Sequence, residues 1–270
     1  MRTFFKHIMP ALLLLTAMGV HAQKSISTAA VRKFVQSMAL IRQAPLSVQL
    51  KLQSHTDLPT DGEDEYELSG GIYLRSGSAY VQLGDTEQFM NDSVAVMINN
   101  DTKQMILLEK TTGSFNWQLP GMFAAGTADS TVKALGAIYT AVSNDSGVVM
   151  TTRALLNGAA LPKENVQLTV SRKTGFPEEM QVTRRKLVMM DSLGMVELRD
   201  ERHVPAERFM REGEYYHVVK EVTIRLRYEV IDRSEGTVPV TMAERLRKTA
   251  ASEWAPVAAF ADYSVLKQTN

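Results

Sequence analysis

The chain contains no cysteine. That excludes disulfides and thiolate metal sites, and it removes the covalent staple available to exported proteins. Charge of one sign is not in excess: 30 Lys and Arg balance 30 Asp and Glu. No net field exists to draw in nucleic acid or an anionic membrane. With 16 Gly and 9 Pro, the composition is neither collagenous nor low in complexity. Beyond the first 22 residues no apolar run reaches the length of about 18 that a membrane-spanning helix needs. No glycine-rich phosphate loop, Gly-x-Ser-x-Gly elbow or basic–aromatic stripe occurs. What is present is an ordinary folding composition, 44% hydrophobic and 22% charged over 270 residues. It suffices for one large or two small domains stabilised by burial.

Residues 1–22 read as an export signal. Arg2 and Lys6 make a basic start, and Ile8 to Val20 is mostly apolar but interrupted by Pro10. Val20-His21-Ala22 fits a small-x-small cleavage site, which puts the mature start near Gln23. Loss of Arg2 and Lys6 leaves the mature chain near −2. No cysteine follows the leader to carry a lipid. The expected location is the periplasm, with secretion beyond it as the alternative.

Residues 28–42 carry Val31, Phe34, Val35, Met38 and Ile41 at three- and four-residue spacing, the stripe of an amphipathic helix that Pro45 closes. Leu46, Val48, Leu50 and Leu52 then alternate with polar residues, a strand with one dry face. Strands are expected near 66–75, 78–84, 94–99 and 104–109, punctuated by Ser76-Gly77, Gly84-Asp85, Asn91-Asp92 and Asn99-Asn100-Asp101. An apolar loop with Pro120-Gly121 occupies 115–128, and a second helix is expected over 129–143. Further strands are expected near 147–155, 165–171, 178–190, 194–202 and 215–231. In the last, Val222, Ile224, Leu226, Tyr228 and Val230 face one way and charged residues the other, so a one-residue slip would bury the charges. Thr241 to Glu244 fits a capping box for a helix over 242–251, and 263–266 reads as an edge strand.

No strand–helix–strand alternation calls for a parallel sheet. The expected fold is mainly β with α: one large curved antiparallel sheet, a half-barrel, with a polar outer face. Two or three helices cover its concave face. The expected organisation is leader 1–22, a curved-sheet domain over 23–231, and an extension over 232–270 packed on the same domain. A half-open sheet with an apolar lining is a container for an apolar ligand. The layout resembles the LolA-like (LolA/LppX-like) lipid-carrier fold. Residues Leu168 to Met180, an apolar strand running into Lys173-Thr174-Gly175-Phe176-Pro177, resemble a hairpin of that family. The resemblance implies a periplasmic carrier or sensor of acyl chains.

Catalytic candidates are weak. Ser130-x-x-Lys133 and Lys173-Thr174-Gly175 match motifs of penicillin-recognising enzymes, but the two are too close in sequence to hold a helical domain between them. A helix cap and a hairpin turn explain them. His55, His203 and His217 lack zinc-site spacing. The acidic set Asp57, Asp61, Glu63, Asp64 and Glu65 lacks the spacing of a helix–loop–helix calcium site and reads as a solvated loop. No enzyme activity, metal or cofactor is expected.

Methionine is the compositional oddity: of 15, three (Met1, Met9, Met18) lie in the leader and the rest in the mature chain. Such flexible, polarizable side chains suit surfaces that accept varied apolar shapes. The residues expected to line a ligand are Phe34, Met38 and Ile41 on the first helix, with Met97 on a strand. Trp117, Met122 and Phe123 join them from the lid-like loop, and Leu135, Ile138 and Tyr139 from the second helix. The expected partner is an apolar small molecule or the acyl chain of a lipid or lipoprotein. The alternative is a structural or interaction module with a filled core, docking an envelope protein through loop 201–214, which carries Phe209 and Met210, and through the extension over 232–262.

Overall fold

The structure, a computed structural model, describes residues 28–58, 65–91, 93–109, 128–152, 164–213, 215–250 and 253–269. The leader 1–22 and the ligand-lining candidates Trp117, Met122 and Phe123 lie outside these residues. The class is mainly β with α: a large antiparallel sheet and three helices among the described residues. Contacts divide the chain into two compact units. One contains the described residues of Met1–Met38, Thr56–Leu58 and Gly126–Thr223; the other those of Ala39–His55, Pro59–Ala125 and Ile224–Asn270.

The helix α1 spans residues 28–40, close to expectation. Val31, Phe34 and Met38 are buried while Arg32 and Gln36 are exposed, the stripe its spacing dictates.

The second unit is a meander. Its strands are β1 (Leu46–Thr56), β2 (Tyr66–Arg75), β3 (Ser78–Leu83), β4 (Thr86–Asn91), β5 (Val94–Asn99) and β6 (Gln104–Glu109), each paired antiparallel to the next. β4 is absent from the sequence reading, because its mixed polar composition between two turn signals resembles a loop. The two-residue turn Gly84-Asp85 joins it to β3, and Gly84 holds φ +56°, a conformation that glycine tolerates without strain.

The first unit carries α2 (Ala128–Ile138), β7 (Tyr139–Asn144), β8 (Gly147–Thr152), β9 (Glu164–Val170) and β10 (Pro177–Met190). Here the expected helix 129–143 is corrected: it stops at Ile138. Val132, Leu135, Tyr139 and Val142 do recur at helical spacing, but from Tyr139 on burial alternates with period two, and Ala141 and Val142 pair with Met150 and Val149. Asn144 closes that hairpin, its Oδ1 accepting from Ser146 N at 3.0 Å. The β9–β10 turn is the hairpin read from sequence. Gly175 sits at φ +69°, its N–H bonds Ser171 O at 2.8 Å, and Phe176 and Pro177 are buried.

The expected strand 194–202 is also corrected. Asp191 accepts from Gly194 N at 2.8 Å and starts α3 (Ser192–Val196), which continues as a π turn over Glu197–Glu201. The apolar–polar alternation there is misleading, because Leu198 alone of that π turn is buried. Leu198 and Val204 form a cluster with Leu58 and Val218, backed by Val188, Met190 and Phe209. β11 (Phe209–Glu212) pairs with the start of β12 (Tyr215–Asp232), whose first half lies in this unit and whose second half lies in the other. Val222, Leu226 and Tyr228 are buried on β12, on the side its alternation assigns.

The extension after β12 belongs to the second unit. The capping box at Thr241 and Glu244 forms, but it starts only a 3-10 turn, Met242–Glu244. β13 (Leu246–Lys248) and β14 (Trp254–Pro256) then make a separate two-stranded ladder. β15 (Ser264–Thr269) pairs with β6, and does so in parallel, unlike the antiparallel ladders expected throughout.

Candidate functional site

In the second unit the register sorts side chains onto two faces, because directly opposed residues point the same way. On one face Leu46, Leu74, Ala79, Met90, Ala95 and Leu108 stand in a single row across six strands. The adjacent row is Val48, Ile72, Val81, Gln88, Met97 and Ile106. Eleven of these twelve are apolar. Leu46, Val48, Ile72 and Val81 are buried, whereas Met97, toward the far edge, is 42% exposed. The apolar character thus continues past the part of the face that the fold covers.

The opposite face was expected to be polar. It is instead apolar and sealed. Tyr80, Phe89, Val96 and Leu107 stand in one row, with Val94, Ile98 and Met105 beside them. The extension covers them with Val238, Val240, Met242, Leu246, Trp254 and Phe260. Residues far along the chain supply the cover, which no local pattern reveals.

Within that seal lies one ion pair of low exposure. The Glu87 side chain is 7% exposed and that of Arg245 19%. Arg245 Nε donates to Glu87 Oε2 at 3.1 Å, and Nη2 lies 3.4 Å from Oε1. Asn100 Nδ2 donates to Oε1 at 2.9 Å, and the Tyr80 hydroxyl reaches Oε2 at 3.4 Å. The Arg245 guanidinium also lies over the Phe260 ring, 4.8 Å from its centroid. Burial, and then the Glu87 charge, push the Tyr80 phenol up to about 12. This latch was missed by sequence reasoning, since neither Glu87 nor Arg245 belongs to a motif.

The ligand-lining candidates fall in different places. In the first unit Phe34, Met38, Leu135 and Tyr139 are buried, and Ile138 is exposed. The Tyr139 hydroxyl donates to Glu164, and burial followed by that bond raises its pKa. In the second unit Ile41 is buried and Met97 stands on the apolar face. Phe209 packs against the Leu58–Leu198 cluster, so of the two proposed docking side chains only Met210 is exposed.

Ser130 and Lys133 are exposed on α2, and Lys173 and Thr174 at the β9–β10 turn. Asp57 is committed to Arg208 at 2.9 Å and accepts from Glu221 N at 2.8 Å. Glu65 pairs with exposed His55 at 2.9 Å, and Asp61, Glu63 and Asp64 lie outside the described residues. Among the described residues no group of three or more His, Asp or Glu side chains could hold a metal ion, and no helix is long and apolar enough to cross a membrane.

No family model matches this chain, and no curated protein matches it. Among solved structures it is similar to the crystal structure of a LolA superfamily protein, NE2245 from Nitrosomonas europaea. The identity is 12%, the match covers 78% of this chain and 95% of that chain, and the TM-score is 0.27. The resemblance read from the layout and the β9–β10 hairpin is to that same superfamily, and it is weak.

Proposed function

We propose that this protein is an exported, non-enzymatic binding protein that holds an apolar ligand, the acyl chain of a lipid or lipoprotein, in the cell envelope. The two apolar rows on the β1–β6 sheet carry this reading. A sheet needs one apolar face to fold. Here one face is already sealed by the extension, and the other continues as hydrocarbon out to exposed Met97. Methionine at that edge suits guests of varied shape. Each methylene transferred onto such a surface gains about 0.8 kcal/mol, so a dozen supply binding without a catalytic group. The leader read in residues 1–22 supports an envelope location, the periplasm first.

The test is displacement of a fluorescent fatty acid from the mature chain, with native mass spectrometry of protein taken from its own envelope. Met97→Glu places a charge on the apolar row and is expected to weaken fatty-acid binding at least tenfold. Lipid-free protein that ignores the fluorescent probe would end this reading. A second reading, an interaction module with a filled core, draws on the sealed Tyr80–Leu107 face. It predicts an envelope protein captured by the native chain and lost with Met210→Ser.

A further inference from the structure

Between the extension and the outer ends of β3 and β4 lies a cavity of about 200 Å³. We infer that it is a second apolar site, separate from the Met97 face, which takes one hydrocarbon group of six to eight carbons such as the end of an acyl chain. Its walls include Tyr80 and Phe89 from the sheet, and Val238, Val240 and Met242 from the extension.

Three observations carry the assignment. The first is size. The pocket is half-open to solvent, and an enclosed apolar cavity of about 150 Å³ admits benzene, so this one has room for slightly more. The second is the state of its polar rim. Asn91 Oδ1 already accepts from Ser93 N at 2.9 Å and Val94 N at 3.0 Å. Thr241 Oγ1 donates to Glu244 Oε1 at 2.9 Å. With these oxygens committed within the protein, and Asn91 Nδ2 turned to the Met242 sulfur at 4.0 Å, the lining left to a guest is mainly hydrocarbon, which the site therefore favours.

The third is the construction of the outer wall. Residues 237–241 contain no helix or strand, and Pro239 has no N–H to offer. The segment is pinned on either side. Arg75 Nε donates to Gly236 O at 2.6 Å before it, and Arg245 grips Glu87 after it. Val238 and Val240 can therefore shift around a guest while the pins hold. Met242 adds an adaptable side chain to the walls.

The experiment uses the mature chain with methyl-labelled methionine, titrated with 1-octanol and followed by NMR. The Met242 methyl signal is expected to shift saturably. Val240→Phe, and independently Val238→Phe, fill the cavity and are expected to weaken that response at least tenfold, with the circular dichroism spectrum retained. Met97→Glu, which tests the first site, is expected to leave it within twofold. The inference is overturned if the Met242 methyl does not move up to octanol saturation, or if both filled variants still bind as the native chain does. A Met242 response that persists when fatty-acid binding at the Met97 face is absent would support this site and remove the other.

Discussion

Replacing Arg245 by Met tests whether the extension is latched by charge or merely laid on the sheet. The substitution keeps most of the aliphatic volume and leaves the Glu87 carboxylate, 7% exposed, without its cation. Removing one partner of a buried pair costs about 3–5 kcal/mol, against about 0–1 for an exposed pair. Low exposure on both sides places this pair in the first class, and loss of the contact with Phe260 adds to the effect. Trp254 lies in the extension, half-buried, with Lys248 Nζ 5.2 Å from its ring centroid, so its fluorescence reports release of that segment. In a Trp117→Phe background, urea unfolding followed at Trp254 is expected to shift its midpoint down by about 1–5 M, given a slope of about 1–3 kcal/mol per molar urea. The double variant Glu87→Gln, Arg245→Met removes both charges and leaves an amide that Asn100 and Tyr80 can still contact. It is expected to recover at least half of the loss. A loss under about 1 kcal/mol in the single variant, or no recovery in the double, would refute the argument.

Gly70→Ala is expected to destabilise the β2–β3 ladder, because the added Cβ would stand 1.9 Å from the Gln82 carbonyl oxygen, a backbone atom that cannot swing away. The cost should be about 1–3 kcal/mol, read by thermal melting. Leu168→Ala opens a void at a position with no exposure and should cost about 2–5 kcal/mol by the same measurement. Alkaline pH is expected to unfold the second unit. The Tyr80 phenol is raised from 10.0 to about 12 in the folded state, so its stabilising contribution is complete below pH 10 and disappears as the pH rises to about 12. Tyrosinate absorbance should therefore lag behind that of free tyrosine, and Tyr80→Phe should reduce the lag; an unchanged titration would contradict the burial argument.

Periodicity was enough for some elements and not for others. The β1 and β12 alternations and the α1 stripe were legible because each buries one face against water, and that demand is written every second or every third and fourth residue. The hairpin at Gly175 was legible because its turn needs a positive φ. Residues 139–143 were not, since Leu135, Tyr139 and Val142 satisfy both periods until partner strands choose one. The candidate site divides the same way. Met97 could be named from its strand, but the row that joins it to Val48 through Ile72, Val81 and Gln88 exists only once four strand pairs set their register.

The residues alone determined the mainly β class and, for most of the core, which side chains avoid water. Tertiary structure alone decided what those side chains meet. The sheet side expected to face solvent is covered by Val238 to Val265, more than 100 residues further along the chain, and Glu87 finds its cation at Arg245. Hydrophobic burial is non-directional, so a pattern of apolar residues specifies a demand for cover without naming its source. Register, a returning chain and the space left between them supply that answer.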